Sequence, residues 1–250
     1  MRMNGDIDIE GIRFFPIRNY QYEEFFQDVQ YTGETLNAAE RSEYVKMTDE
    51  TIAHNLVGLE MINGELERIK DLHDIYHNVQ RVVISTMLFT LMTMTDGMVA
   101  SKYFILADKD IDRGFMRGKL RVILNEGFKK LYGFKDKTKK MSEWHKLISV
   151  LGYFPDEVKR QYEHLTVLLE KHSKTSSWWW DERNIETHMD VEKMYASRCE
   201  KIIEGDVLTD FLKLTDTLMG VNMFLSNMHN CLNNFLTYKY QCGELGKSII

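Results

Sequence analysis

Proline is nearly absent from this chain: two residues in 250, at positions 16 and 155. Because proline removes a backbone donor and breaks helices, its scarcity leaves room for long uninterrupted ones. Strict alternation of apolar and polar residues is also rare, which argues against a sheet protein. The three cysteines, Cys199, Cys231 and Cys242, fall late in the chain with no C-x-x-C spacing. That excludes a disulfide framework and a structural zinc site, and leaves reduced intracellular thiols. The first residues, MRMNGDIDIEGIRFF, lack the apolar run of a secretory signal. The longest uncharged stretch, Val82 to Thr95, stops at Asp96, short of the roughly 18 to 20 residues a bilayer span needs. A cytoplasmic protein with no membrane partner is the expectation. Neither G-x-x-x-x-G-K-[ST] nor G-x-G-x-x-G occurs, which excludes the common nucleotide phosphate loops. Repeated E-x-x-H pairs are missing as well, which sets aside a di-iron bundle.

What is present points to helices. Hydrophobic residues make up 44% of the chain, and they recur at three- and four-residue spacing over long stretches. The expected fold class is all-α, a single helical domain over 1–250 whose first 47 or so residues form an N-terminal extension. A helix is predicted from Tyr22 towards Val45, and Thr48-Asp-Glu reads as the start of the next. One or two long helices follow from Leu72 to about Leu106, with Gly97 as a bend. Asp108 or Asp110 caps a helix that stops at Gly133. A basic loop, FKDKTKK, leads to a short helix from Ser142 to Val150, and Pro155 opens another to about Lys171. After the loop HSKTSSWWWD come a helix from Glu182 to Ile203, a break at Gly205, and a final helix from Val207 to about Tyr240. The many methionines at helical spacing read as core filling.

The net charge of −6 argues against a protein that coats nucleic acid, yet its distribution is uneven. Between Arg113 and Lys146 cations outnumber acids heavily, with Arg117, Lys119, Arg121, Lys129 and Lys130 among them. Such a segment can form a phosphate-attracting patch able to hold RNA. It can equally be a solvated helix face followed by a lysine-rich loop. His73 and His77 stand one helical turn apart, a spacing that metal ligands use, but no third ligand presents itself and two ordinary histidines are the better reading. No metal and no cofactor are expected.

The stretch SSWWWDERNIETH, residues 176–188, is different in kind. Three consecutive tryptophans cannot share one helix face, since neighbours are about 100° apart. Anchoring the loop is the simplest use for Trp178, Trp179 and Trp180, with a partner chain or a stacked base as the alternative. Asp181 is a plausible cap, which places Arg183 in a first turn where free backbone N–H groups favour a phosphate. Asn184 and His188 lie four apart on one face, and Arg183 is long enough to reach them. An imidazole moves protons near neutral pH and a guanidinium stabilises phosphate charge, which suits RNA cleavage by its own 2′-hydroxyl. In the bland alternative, Arg183 and His188 pair with nearby glutamates and Asn184 caps.

Arg183-Asn184-x-x-x-His188 resembles the R-N-x-x-x-H motif of the HEPN superfamily, helical bundles whose motif begins a late helix after a loop. The resemblance covers about residues 80–240 and includes the helix RGFMRGKLRVILNEGFKKLYGF. It implies a HEPN-like bundle with an N-terminal extension, acting as a homodimer and as a metal-independent endoribonuclease on single-stranded RNA. It also implies a toxin or phage-defence role, with an antitoxin or regulatory protein as a further partner. Carried onto this sequence, Arg183 stabilises the phosphate, Asn184 orients the motif or contacts substrate, and His188 moves the proton. Some members of the superfamily only bind, so a non-catalytic RNA-binding or protein-interaction module is the alternative.

Overall fold

A capping box sets the first long helix. The Asn37 side chain accepts from the backbone N–H groups of Ala39 at 2.9 Å and Glu40 at 3.1 Å, and the Glu40 carboxylate accepts from the Asn37 N–H at 2.8 Å. In the computed structural model, which describes residues 18, 20–26, 36–175, 191–199 and 204–242, helix α1 then runs unbroken over Ala38–Ile69. The sequence expectation placed a start at Thr48. Instead, the Thr48 hydroxyl donates back to the Tyr44 carbonyl at 2.7 Å inside the helix, a bond that lets a threonine sit in a helix interior. Position 47 therefore lies within α1, and of the helix expected from Tyr22 towards Val45 the structure shows a 3-10 turn at Tyr22–Phe26 and, from Ala38 on, the start of α1, while 27–35 lie outside the described residues.

Asp74 caps helix α2, Ile75–Leu106, by accepting from the N–H groups of Tyr76 and His77. The helix continues through Gly97 without interruption, and there the glycine makes room for a neighbour: a Cβ would meet the Phe211 ring at 2.6 Å. Helix α3 spans Asp110–Leu131. Neither Asp108 nor Asp110 caps it, because Lys109 holds the cap position and Asp110 and Asp112 lie in the first turn, where carboxylates favour the macrodipole. Gly133 ends α3 as expected: its φ is +88°, and its N–H reaches back to the Phe128 carbonyl at 3.3 Å.

Three short helices follow, α4 (Asp136–Lys140), α5 (Glu143–Lys146) and α6 (Ile148–Leu151), and then α7 (Asp156–Thr175). Helix α8 spans Val191–Cys199 and α9 spans Glu204–Gln241. Gly205 is not a break, since it is buried within the first turn of α9. All regular elements among the described residues are helical.

The centre of the bundle is α2, which packs against α1, α3 and α9. By length and composition this helix contains a stretch apolar enough to cross a membrane, which the shorter run Val82–Thr95 does not suggest. Contacts on three flanking helices use that apolarity as core. The larger cluster gathers Phe128, Trp144, Leu165, Leu169, Leu218 and Phe224, each no more than 2% exposed. Burying each contributes about 2 kcal/mol. Trp144 stacks on Tyr162 with ring centroids 4.7 Å apart, and its indole N–H donates to Thr166 at 2.9 Å. This seats α5 on α7. A smaller cluster around Phe104, Leu120 and Phe211 fills the far end.

The N-terminal turn is tied down by polar groups. The Arg18 carbonyl accepts from Gln161 at 3.2 Å and from Asn227 at 2.8 Å, and the buried Tyr22 hydroxyl donates to Gln161 at 2.9 Å.

Candidate functional site

Arg183, Asn184 and His188, together with the three tryptophans, lie outside the described residues. The helices on either side of them are described: α8 packs on α3, and the end of α7 reaches the same face of α3 through His172. Residues Gly114, Arg117, Gly118, Arg121, Asn125 and Phe128 recur at three- and four-residue spacing and so form one stripe of that helix.

At one end of the stripe, α8 crosses Gly114 so closely that a Cβ there would sit 2.5 Å from the Arg198 carbonyl oxygen. The Arg198 guanidinium lies over the Phe115 ring, 5.0 Å from its centroid. At the other end, His172, three residues before the end of α7, meets Phe128 edge-on at 5.9 Å and Phe26 at 5.8 Å. Gly114 and Phe128 thus meet α8 and the end of α7 at opposite ends of the stripe. Between those two anchors α3 presents Arg117, Arg121 and Asn125, which are 4%, 9% and 0% exposed.

The five cations expected to hold RNA therefore do not share a surface. Arg117 and Arg121 are buried in the stripe. Lys119 and Lys130 are exposed on the opposite side of α3, with their ammonium groups each 5.1 Å from an aromatic centroid, Phe115 and Phe89 respectively. Lys129 is half-buried and paired with Glu126 at 3.2 Å. Helical geometry explains the split, because positions 117 and 119 are about 200° apart on the helix. Lys130 also borders an open cleft of 420 Å³ that Phe89, Met92, Glu143 and Lys146 help to line.

Farther along the basic segment, Lys139 is also tied into the fold. It donates to Glu170 on α7, which accepts from the Tyr132 hydroxyl at 2.7 Å and pairs with Lys174 at 2.9 Å. Hydrogen bonds from Lys139, Tyr132 and Lys174 hold the Glu170 carboxyl down at about 2. Burial, with the Glu170 carboxylate adding to it, pushes the Tyr132 phenol up.

A second polar cluster escaped the sequence reading. Glu65 of α1 accepts from Gln80 of α2 at 2.7 Å and contacts the His229 ring of α9 at 2.8 Å. Asn233 closes the set, 3.1 Å from both Gln80 and His229. Burial would raise the Glu65 carboxyl, but the hydrogen bond and charge of His229 and the Gln80 amide outweigh it and leave it below the usual range. Only the four-residue spacing of His229 and Asn233 was visible in sequence. His73 and His77 do not form a joint site: His73 is exposed, whereas His77 is fully buried and paired with Asp74. Among the described residues no three His, Cys, Asp or Glu side chains gather as a metal site would require. Cys231 and Cys242 are free thiols.

No protein-family model matches the chain, nor does any curated protein or solved structure.

Proposed function

We propose that this chain is a metal-independent endoribonuclease that cuts single-stranded RNA, a HEPN-like homodimer serving as a cytoplasmic toxin or phage-defence effector. What supports this reading is the Arg183-Asn184-x-x-x-His188 pattern, an arginine, an amide and an imidazole close together in the sequence of an all-helical chain.

In the reaction, the imidazole of His188 takes the proton of a ribose 2′-hydroxyl, and the freed oxygen attacks the adjacent phosphorus. The bond from phosphorus to the 5′-oxygen breaks, and that oxygen takes up a proton as it leaves. Arg183 stabilises the extra negative charge on the phosphoryl oxygens. Asn184 orients the motif or contacts the substrate. The products are a 2′,3′-cyclic phosphate and a free 5′-hydroxyl.

The test is incubation of labelled single-stranded RNA with the purified protein in chelator, beside His188→Ala and Arg183→Ala. Cleavage by the parent alone, leaving cyclic phosphate ends, is the expected result. Equal cleavage by all three proteins removes the nuclease reading. The burial of Arg117 and Arg121 favours a second reading, a non-catalytic RNA-binding or protein-interaction module, because it leaves fewer exposed cations to grip a strand. That reading predicts RNA or partner binding with no cleavage by any variant.

A further inference from the structure

At the end of the bundle where α2 turns into α3, large apolar side chains face water. Tyr103 is 54% exposed, Leu106 50%, Ile111 49% and Phe115 40%. Tyr103, Leu106, Asp112, Phe115 and Met116 line an open groove of 300 Å³ between the two helices. Scattered exposed hydrophobics need no explanation, but a contiguous group around a groove marks an interaction surface.

Charge selects the occupant. On α3, Asp112 lies one turn before Phe115 and Lys119 one turn after it, and all three are exposed. When two copies of α3 cross antiparallel with their Phe115 and Met116 positions opposed, residue 112 of each copy faces residue 119 of the other. Carboxylate then meets ammonium twice around a shared aromatic centre. A face whose charges reverse across its own midpoint is complementary to itself, which a two-fold interface requires.

We infer that this groove is where a second copy of the chain docks, with Phe115 at the two-fold centre and Asp112 of each subunit paired with Lys119 of the other. The inference gives the dimer of the proposed function a specific face, yet it does not depend on RNA cleavage. Helix α8 lies against the same turn of α3, through Gly114 and Phe115. The opposed Phe115 rings bury their edges against the Tyr103 and Leu106 side chains, and the ion pairs set the register.

The test is sedimentation equilibrium of the full chain beside Phe115→Glu, Asp112→Lys, Lys119→Asp and the double exchange Asp112→Lys/Lys119→Asp, with far-ultraviolet dichroism as the check on folding. A dimeric parent is expected. Each single reversal sets two like-charge contacts in the interface and weakens dimerisation about tenfold or more, and Phe115→Glu abolishes it. The double exchange restores the parent's dimer constant to within about threefold. The charge exchange decides the matter even if Phe115→Glu misfolds. A monomeric parent, a dimer indifferent to the single reversals, or a double exchange no better than the singles overturns the inference. His188→Ala dimerises as the parent does, so loss of the nuclease reading leaves this one standing, and loss of this one leaves cleavage to be judged on its own.

Discussion

The cations of one short basic segment meet two different fates. Arg117 and Arg121 are buried in the stripe of α3 that begins at Gly114, where α8 crosses, and Lys139 is tied to Glu170. Lys119 and Lys130, only a few positions away, stay in water beside aromatic rings. The contrast teaches that a run of like charge does not amount to a charged surface. Helical rotation deals alternate members to opposite sides, and packing then decides which of them keeps solvent. Guanidinium suits the inward role, being planar and less strongly hydrated than ammonium, with several donors in a fixed fork.

The contrast breaks most sharply at Gly114. Gly114→Leu must push α8 off α3, because even a Cβ comes within 2.5 Å of the Arg198 carbonyl oxygen. The expected loss is about 3 kcal/mol of unfolding free energy by urea titration. Under the proposed function RNA cleavage falls as well. Unchanged stability would show that α8 is not held there.

Next in size is a pair of substitutions that compares the two fates directly. Arg117→Ala removes a buried guanidinium and leaves space and polar groups behind, an effect of about 2 to 3 kcal/mol. Lys130→Ala removes an exposed ammonium beside Phe89 and shifts stability by only about 0.5 kcal/mol. If denaturant melts gave equal values for the two, the division into inward and outward cations would fail.

Gly133→Ala tests the turn that delivers Lys139. Its φ of +88° suits glycine, and an added Cβ would sit 2.5 Å from the Lys139 backbone nitrogen. A loss of about 2 kcal/mol is expected, measured by thermal or urea unfolding. A neutral outcome would mean that the turn relaxes freely and that Lys139 is not held by it.

A pH-dependent effect smaller than the glycine and Arg117 losses belongs to Glu170. Its carboxyl is held at about 2 in the folded chain against an ordinary 4.5, so it adds stability that is fully present above about pH 4.5 and is lost as pH falls towards 2. Because the side chain is 32% exposed, solvent limits the contribution to about 1 kcal/mol. Glu170→Gln should flatten stability between pH 5 and about 2 relative to the parent, followed by urea unfolding at several pH values. Parallel profiles would show that the Lys139 and Lys174 pairs are decorative.

The helices were legible because apolar spacing and terminal residues act locally. Gly133 was identified as a stop, and it is one. Gly205 was read by the same local habit and misled, since it is buried inside the first turn of α9, while the role of Gly97 in making room for the Phe211 ring was not visible locally. Thr48 misled for a related reason, since a threonine can cap a helix or bond back within one, and Asn37 with Glu40 was the stronger start.

By itself the sequence determined the all-α class and the order of most helices, and it singled out Arg183, Asn184 and His188 as candidates for chemistry. These follow from backbone preference, periodicity and side-chain chemistry, which neighbours along the chain set among themselves. Only the tertiary structure decided that Arg117 and Arg121 turn inward, that Glu65, Gln80, His229 and Asn233 meet across three helices, and that Tyr103 and Phe115 stay in water. Those outcomes depend on which helix lies against which face, and burial is a property of the packed bundle that no single segment carries.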